Sequence, residues 1–127
     1  MATKQVIVMR NDLNMRKGKM IAQGSHASMA FLTRNGKIIS EFSKNDFFEN
    51  RSYTGQEIGE IEEWMENGFT KICLQCNSEA ELDEIYTKAQ EAGLTVHLVI
   101  DKGLTEFNGV ATKTCLAIGP HLSLIHI

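Results

Sequence analysis

An apolar strand that runs into a helix of small residues opens this chain and constrains the fold of everything after it. The strand is predicted at residues 6–9, a polar turn follows at 10–12, and the helix runs from about residue 15 to residue 32. Six of the nine residues from 22 to 30 are Ala, Ser or Gly, which lets a helix lie close against a sheet. A strand followed by such a helix begins a β–α–β crossover, so the opening favours an α/β protein with parallel strands.

Three cations stand where this helix begins: Arg16, Lys17 and Lys19. Backbone N–H groups and the helix macrodipole already make that end positive, so each cation is disfavoured there by about 0.3–1 kcal/mol. A bound anion would remove the penalty, because the amides and ammonium groups could share one phosphate. A solvated basic turn has the same spacing, and the spacing alone leaves both interpretations open.

Three polar residues of the same helix share one stripe. Lys19, Gln23 and His26 are spaced i, i+4 and i+7, which confines them to an arc about 60° wide. A lone histidine on a helix is more often a structural hydrogen-bonding group than a catalyst. His26 becomes a candidate functional residue because it shares its stripe with a cation and an amide.

The order of the remaining elements predicts the architecture. Helices are predicted at residues 55–67 and 79–92, strands at 70–76, 95–100 and 113–118, and a loop with short helical pieces at 40–53. In the helix at 55–67, Ile58, Ile61 and Met65 are expected to face inward. Helices between strands imply parallel crossovers and a sheet covered on both faces, and the loop joining the last two strands implies one antiparallel strand.

Functional residues in such sheets collect where parallel strands end. One loop of this kind carries the cations of residues 10–19, and the other begins at Asp101 and carries Thr105. The chain therefore offers an ammonium, an imidazole, a carboxylate and a hydroxyl for one site. Asp101 could equally serve only to form a turn.

Composition limits the class of protein. The chain has 127 residues and suits one domain. It shows no signal peptide and no apolar run near the roughly 18 residues that span a bilayer. An odd count of three cysteines fits a reducing compartment. Cys73 and Cys76 fall in a predicted strand, where residues three apart face opposite sides, so we discard a metal site. The sequence predicts a cytoplasmic protein with no membrane partner, metal or cofactor.

Charge is divided unequally along the chain. Residues 1–40 hold seven Lys or Arg against one acid, a local charge of +6, whereas the rest carries −9 and the whole chain −3. Such asymmetry indicates a phosphate or nucleic-acid partner for the basic part.

Four stretches of the chain together form a specific pattern. They are Lys-Gln-Val-Ile-Val-Met-Arg-Asn-Asp-Leu (4–13), Met-Arg-Lys-Gly-Lys-Met-Ile-Ala-Gln-Gly-Ser-His-Ala (15–27), Gly-Leu-Thr-Val (93–96) with Asp-Lys-Gly-Leu-Thr (101–105), and Cys-Leu-Ala-Ile-Gly-Pro (115–120). In this order they resemble the type II peptidyl-tRNA hydrolases: the second stretch resembles the Met-Gly-Lys-Gly-Lys…Ala-Gln…His-Ala signature of that family, and the third resembles its Gly-Leu…Asp-Ala-Gly-x-Thr segment. We therefore expect one domain over residues 1–120, with 121–127 a short tail that is truncated or non-native.

The resemblance implies a three-layer α/β/α domain on a four-stranded mixed sheet, usually a homodimer. It also implies cleavage of the ester that joins a peptide to the 3′ ribose of tRNA, which frees tRNA for translation and serves ribosome recycling. Carried over position by position, it makes Lys19, His26, Asp101 and Thr105 catalytic and Arg16, Lys17 and Gln23 substrate-binding.

Direct attack by water is the expected chemistry, because no Ser or Cys stands in a nucleophile context. Lys19 would stabilise the oxyanion, and His26 and Asp101 are the two candidates for activating the water, with Thr105 orienting it. The alternative is an inactive RNA- or nucleotide-binding module on the same fold. It is left open by departures from the family pattern at Arg16, Lys102 and Leu104.

Overall fold

The computed structural model describes residues 3–33, 55–103 and 107–122. The elements are β1 (Thr3–Arg10), α1 (Lys17–Thr33), α2 (Gly55–Glu66), β2 (Lys71–Cys76), α3 (Glu79–Glu91), β3 (Val96–Asp101) and β4 (Thr112–Leu122). The predicted order of strands and helices is confirmed. The loop predicted at 40–53 and the candidate residue Thr105 lie outside the described residues.

The strands of the described chain form one mixed sheet in the order β2–β1–β4–β3. β1 pairs with β2 in parallel, and β4 is antiparallel to both β1 and β3. β1, β2 and β3 therefore run in one direction and β4 is the single antiparallel strand, as predicted. The carboxyl ends of β1 and β3 consequently lie at the same edge of the sheet.

Alternate residues of β1 face two different helix layers. Ile7 packs with Ala27 of α1 in one buried cluster, whereas Val6 and Val8 pack with Leu82 of α3 in another. α2 lies beside α1, since both contribute to a third cluster, Phe31, Ile61 and Trp64. The predicted three-layer α/β/α arrangement is confirmed.

α1 is fixed to β1 by a reciprocal pair of hydrogen bonds. The side-chain Nε2 of Gln5 donates to the backbone carbonyl of Ser28 at 2.8 Å, and the Ser28 hydroxyl donates to the side-chain Oε1 of Gln5 at 2.6 Å. Ala27 and Ala30 of the same helix are buried, so the small residues do permit the close approach that the sequence predicts. The first turn of α1 is thereby held at the edge where β1 and β3 end.

One inward position predicted for α2 is wrong. Ile61 is buried, but Met65 is 42% exposed and Trp64 is buried instead. The indole N–H of Trp64 donates to the carbonyl of Thr70 at 2.7 Å, and its ring meets Phe31 edge-on with centroids 5.9 Å apart. The larger apolar surface of the tryptophan, together with its satisfied N–H, favours its burial over that of the neighbouring methionine.

The last strand continues beyond Pro120 to Leu122. The ring of His121 is part of this end of the sheet, because its Nε2 accepts a hydrogen bond from the backbone N–H of Thr95 at 2.8 Å. Residues 123–127 lie outside the described part of the chain, and the nature of the 121–127 tail stays a prediction.

One further sequence prediction concerns the two cysteines of β2. Cys73 is exposed and Cys76 is buried, so their thiols diverge as the strand predicts. None of the helices in the described ranges is both long enough and apolar enough to cross a membrane.

Candidate active site

The carboxylate of Asp101, at the end of β3, is the centre of a polar cluster. Its Oδ1 accepts hydrogen bonds from Lys19 Nζ at 3.0 Å and from Gln23 Nε2 at 3.3 Å. Both donors belong to α1 and lie one helical turn apart, so the predicted stripe and the predicted post-strand carboxylate meet. The ion pair is largely shielded from solvent, with side-chain exposures of 13% for Lys19 and 14% for Asp101.

Asp101 also forms the turn that the sequence left as its alternative role. Its Oδ2 accepts the backbone N–H of Gly103 at 2.8 Å. Gly103 has φ +79°, and a Cβ there would collide with the backbone of Val110, so only glycine fits this turn. The same carboxylate therefore closes a turn and holds an ammonium.

Its partners keep Asp101 ionised. The hydrogen bond from Lys19 lowers the pKa of Asp101 below its ordinary value, and the bonds from Gly103 and Gln23 act in the same direction. Burial opposes this effect and is outweighed. At neutral pH the site consequently presents an anchored carboxylate beside an oriented ammonium.

Thr114 on β4 fixes the orientation of Gln23. Its hydroxyl donates to Gln23 Oε1 at 2.7 Å, which directs the NH₂ group of that amide toward Asp101. Both side chains are buried. Sequence analysis missed Thr114, although a hydroxyl in an otherwise apolar central strand was an available signal.

A cavity of about 330 Å³ opens beside the cluster. It is lined by Lys19, Gln23, His26, Val99, Ile100, Asp101 and Lys102. His26 is exposed on the same wall of α1 as Lys19, so the predicted imidazole shares the cavity with the predicted carboxylate. No serine or cysteine is among the described residues that line this cavity.

Two further predicted site residues, Arg16 and Lys17, lie at the N-terminal end of α1. Lys17 is its first residue and Arg16 precedes it, and both are exposed. The ammonium of Lys19 also lies 5.7 Å from the centroid of the Phe107 ring. Within the described ranges, no group of three or more His, Cys, Asp or Glu is placed to hold a metal ion.

A cation, a carboxylate and an imidazole around one cavity are the groups a hydrolase needs to direct water at an ester or amide.

Comparison with known proteins identifies the family of this chain. Residues 3–124 match the family model described as peptidyl-tRNA hydrolase PTH2. The chain belongs to the peptidyl-tRNA hydrolase PTH2 family. The activity of that family, hydrolysis of peptidyl-tRNA, is accordingly the activity of this protein.

Relatives from archaea and from a eukaryote agree. The peptidyl-tRNA hydrolase of Methanocaldococcus jannaschii is 38% identical over 117 residues, which cover 92% of this chain and 85% of the relative. That of Sulfurisphaera tokodaii is 37% identical over 120 residues, covering 94% and 87%. The probable peptidyl-tRNA hydrolase 2 of Dictyostelium discoideum is 36% identical over 117 residues, covering 92% of this chain and 47% of the relative.

Proposed function

We propose that the ester of peptidyl-tRNA is cleaved in the cavity beside Asp101, by direct attack of water. The observation that carries this proposal is the largely shielded cluster of Lys19, Gln23 and Asp101, which brings two elements far apart in the sequence together around one cavity. Its products are a free peptide and a tRNA with an intact 3′ end.

Lys19 is the group that stabilises the oxyanion. Water attack on the ester carbonyl places negative charge on the carbonyl oxygen, and a fixed cation there lowers the barrier without having to reorient. The ion pair with Asp101 at 3.0 Å supplies that fixed position. Gln23, itself held by Thr114, keeps the carboxylate in place and contributes to the substrate-binding wall.

His26 is the group that takes the proton from water. Both carboxylate oxygens of Asp101 already accept hydrogen bonds, and its lowered pKa makes it a weak base. Asp101 therefore orients Lys19 and the water, and Thr105 assists in that orientation. If His26→Ala and Asp101→Asn both hydrolysed peptidyl-tRNA at the wild-type rate, this assignment of roles would be wrong.

A single-turnover assay tests the function directly. We expect excess protein to release the peptide from a peptidyl-tRNA and to leave the matching aminoacyl-tRNA intact. Tight binding of peptidyl-tRNA without release of peptide would contradict the proposal and indicate an inactive RNA-binding module on the same fold.

Arg16 and Lys17 bind phosphates of the tRNA acceptor end. A variant with one phosphate contact fewer releases fewer counterions when it binds the RNA. Lys17→Ala should therefore reduce the magnitude of the slope of log affinity against log salt concentration by about one. Binding titrations at several salt concentrations measure that slope. Lys88→Ala is the control, because Lys88 pairs with Glu84 on α3, across the sheet from α1. An unchanged slope for Lys17→Ala would remove Lys17 from the phosphate site.

We further propose that the enzyme is cytoplasmic and forms a symmetric homodimer. A two-fold contact through the outer face of α2 would oppose glutamates such as Glu62, Glu63 and Glu66. α1 instead exposes an apolar side chain at Ile21, which favours a contact through that helix. Light scattering over a concentration series tests assembly, and a protein that stays monomeric at high concentration would rule the dimer out.

A further inference from the structure

A second cavity continues the active-site cavity along α1. It has a volume of about 370 Å³ and is lined by Ser25, His26, Met29, Thr33, Val99 and Ile100. His26, Val99 and Ile100 line both cavities, so the two form one groove between α1 and β3. We call the part lined by these six residues the α1–β3 groove.

The two ends of this continuous groove differ in charge. The end at the start of α1 carries Lys19, Asp101 and Lys102. The described residues that line the α1–β3 groove include no Lys, Arg, Asp or Glu. Three of its six lining residues are apolar, Met29, Val99 and Ile100, and the other three are polar. Met29 and Ile100 are each 53% exposed, so they are open to a ligand. The groove therefore suits a ligand of variable sequence rather than a polyanion.

We propose that the peptide half of the substrate lies in the α1–β3 groove, extending from the ester near Asp101 toward Thr33. This inference rests on the proposed function. Peptidyl-tRNA joins a polyanion to a chain of arbitrary sequence, and the groove joins a charged end to an uncharged one. With the RNA over Arg16 and Lys17, the continuity of the two cavities leads the peptide along α1. Contact with apolar side chains stabilises any peptide without selecting its sequence.

The length of the groove sets how much peptide it can hold. From His26 to Thr33 the helix advances by about 10 Å at roughly 1.5 Å per residue. An extended peptide advances by about 3.3 Å per residue, so about three peptide residues fit.

The same end of the groove does not favour an aminoacyl-tRNA, whose α-amino group is positively charged. The neighbouring carboxylate, that of Asp101, already accepts hydrogen bonds on both oxygens, so it adds little stabilisation to that amino group.

The test varies the length of the peptide at constant tRNA. Substrates are N-acetyl-aminoacyl-tRNA and peptidyl-tRNAs with two to five uncharged residues. We expect kcat/KM of the wild type to rise with each residue up to about three and then level off. Ile100→Thr keeps the β-branched shape and removes apolar contact. We expect it to lower the ratio of kcat/KM for the tripeptidyl over the N-acetyl-aminoacyl substrate by about three- to tenfold.

Ile72→Thr is the matched control. Ile72 is also a partly exposed isoleucine on an edge strand, β2, but it does not line the groove. We expect the ratio for this variant to equal that of the wild type.

Two results would overturn the inference while leaving the function intact. One is hydrolysis by the wild type with no dependence on peptide length. The other is loss of length dependence in Ile21→Thr, which lines a neighbouring cavity toward β1 and β2 and not the α1–β3 groove, with Ile100→Thr unaffected. Release of no peptide from any substrate would instead overturn the proposed function, and this inference with it.

Discussion

We expect Asp101→Asn to lower kcat for peptidyl-tRNA by about 10²–10⁴-fold, the range of a general acid–base contribution, because Asp101 positions the groups that activate the water. The asparagine retains an oxygen for the N–H of Gly103 but loses the charge that holds the ammonium of Lys19 at 3.0 Å. Rapid-quench measurement of peptide release gives the rate. Asp83→Asn is the control, because Asp83 pairs with Lys113 at the same distance, 3.0 Å, but on an exposed surface.

Acid unfolding tests whether Asp101→Asn removes the contribution of this ion pair to stability. The pKa of Asp101 is lower in the folded protein than its ordinary value, so its ion pair contributes fully to stability above the unfolded-state pKa of about 3.9 and is lost as pH falls below it. Wild-type protein should lose stability more steeply than the variant below about pH 4. Parallel stability curves over that range would mean that the pair does not contribute as described.

Lys19→Met is expected to lower kcat by about 10²–10³-fold, the effect of removing one group that stabilises an oxyanion. Methionine keeps much of the length and apolar volume of the lysine side chain and removes the cation. Single-turnover rates at saturating protein separate this loss from weaker RNA binding, because binding is then complete.

Lys113→Met is the control for Lys19→Met and should leave kcat nearly unchanged, since exposed ion pairs contribute little. The double variant Lys19→Met with Asp101→Asn provides a second check. If the pair acts as one unit, the double variant is little slower than the slower single variant. Rate losses that multiply would show that Lys19 and Asp101 act independently.

Much of the fold could be predicted because its signals are local. The apolar run around Ile7 and the small residues of α1 indicated the first crossover. Gly68 and Gly93, which follow two of the helices, both have positive φ, the conformation that commonly ends a helix. The orientation of Met65 could not be predicted from such local signals. The helical period allowed either it or Trp64 to face inward, and contacts with Phe31 and Thr70 favoured the tryptophan.

The site could be predicted in part for the same reason. Lys19, Gln23 and His26 share a helical stripe, so their common wall followed from spacing, and Asp101 followed from its place after a strand. The hydrogen bond from Thr114 to Gln23 joins residues 91 positions apart. No local sequence pattern indicates a contact between residues so far apart in the chain, because the contact depends on how β4 is inserted between β1 and β3. The catalytic and substrate-binding roles of all the predicted site residues stay predictions.

The reciprocal hydrogen bonds between Gln5 and Ser28 fix the position of α1 along the sheet. Held at its middle and packed through Ala27 and Ala30, the helix cannot slide along the sheet without breaking both bonds. If the proposed RNA and peptide contacts both lie along this one helix, their separation is a fixed number of residues, at about 1.5 Å each. The enzyme can then locate the bond to be cut by its distance from the RNA, whatever amino acid forms the ester.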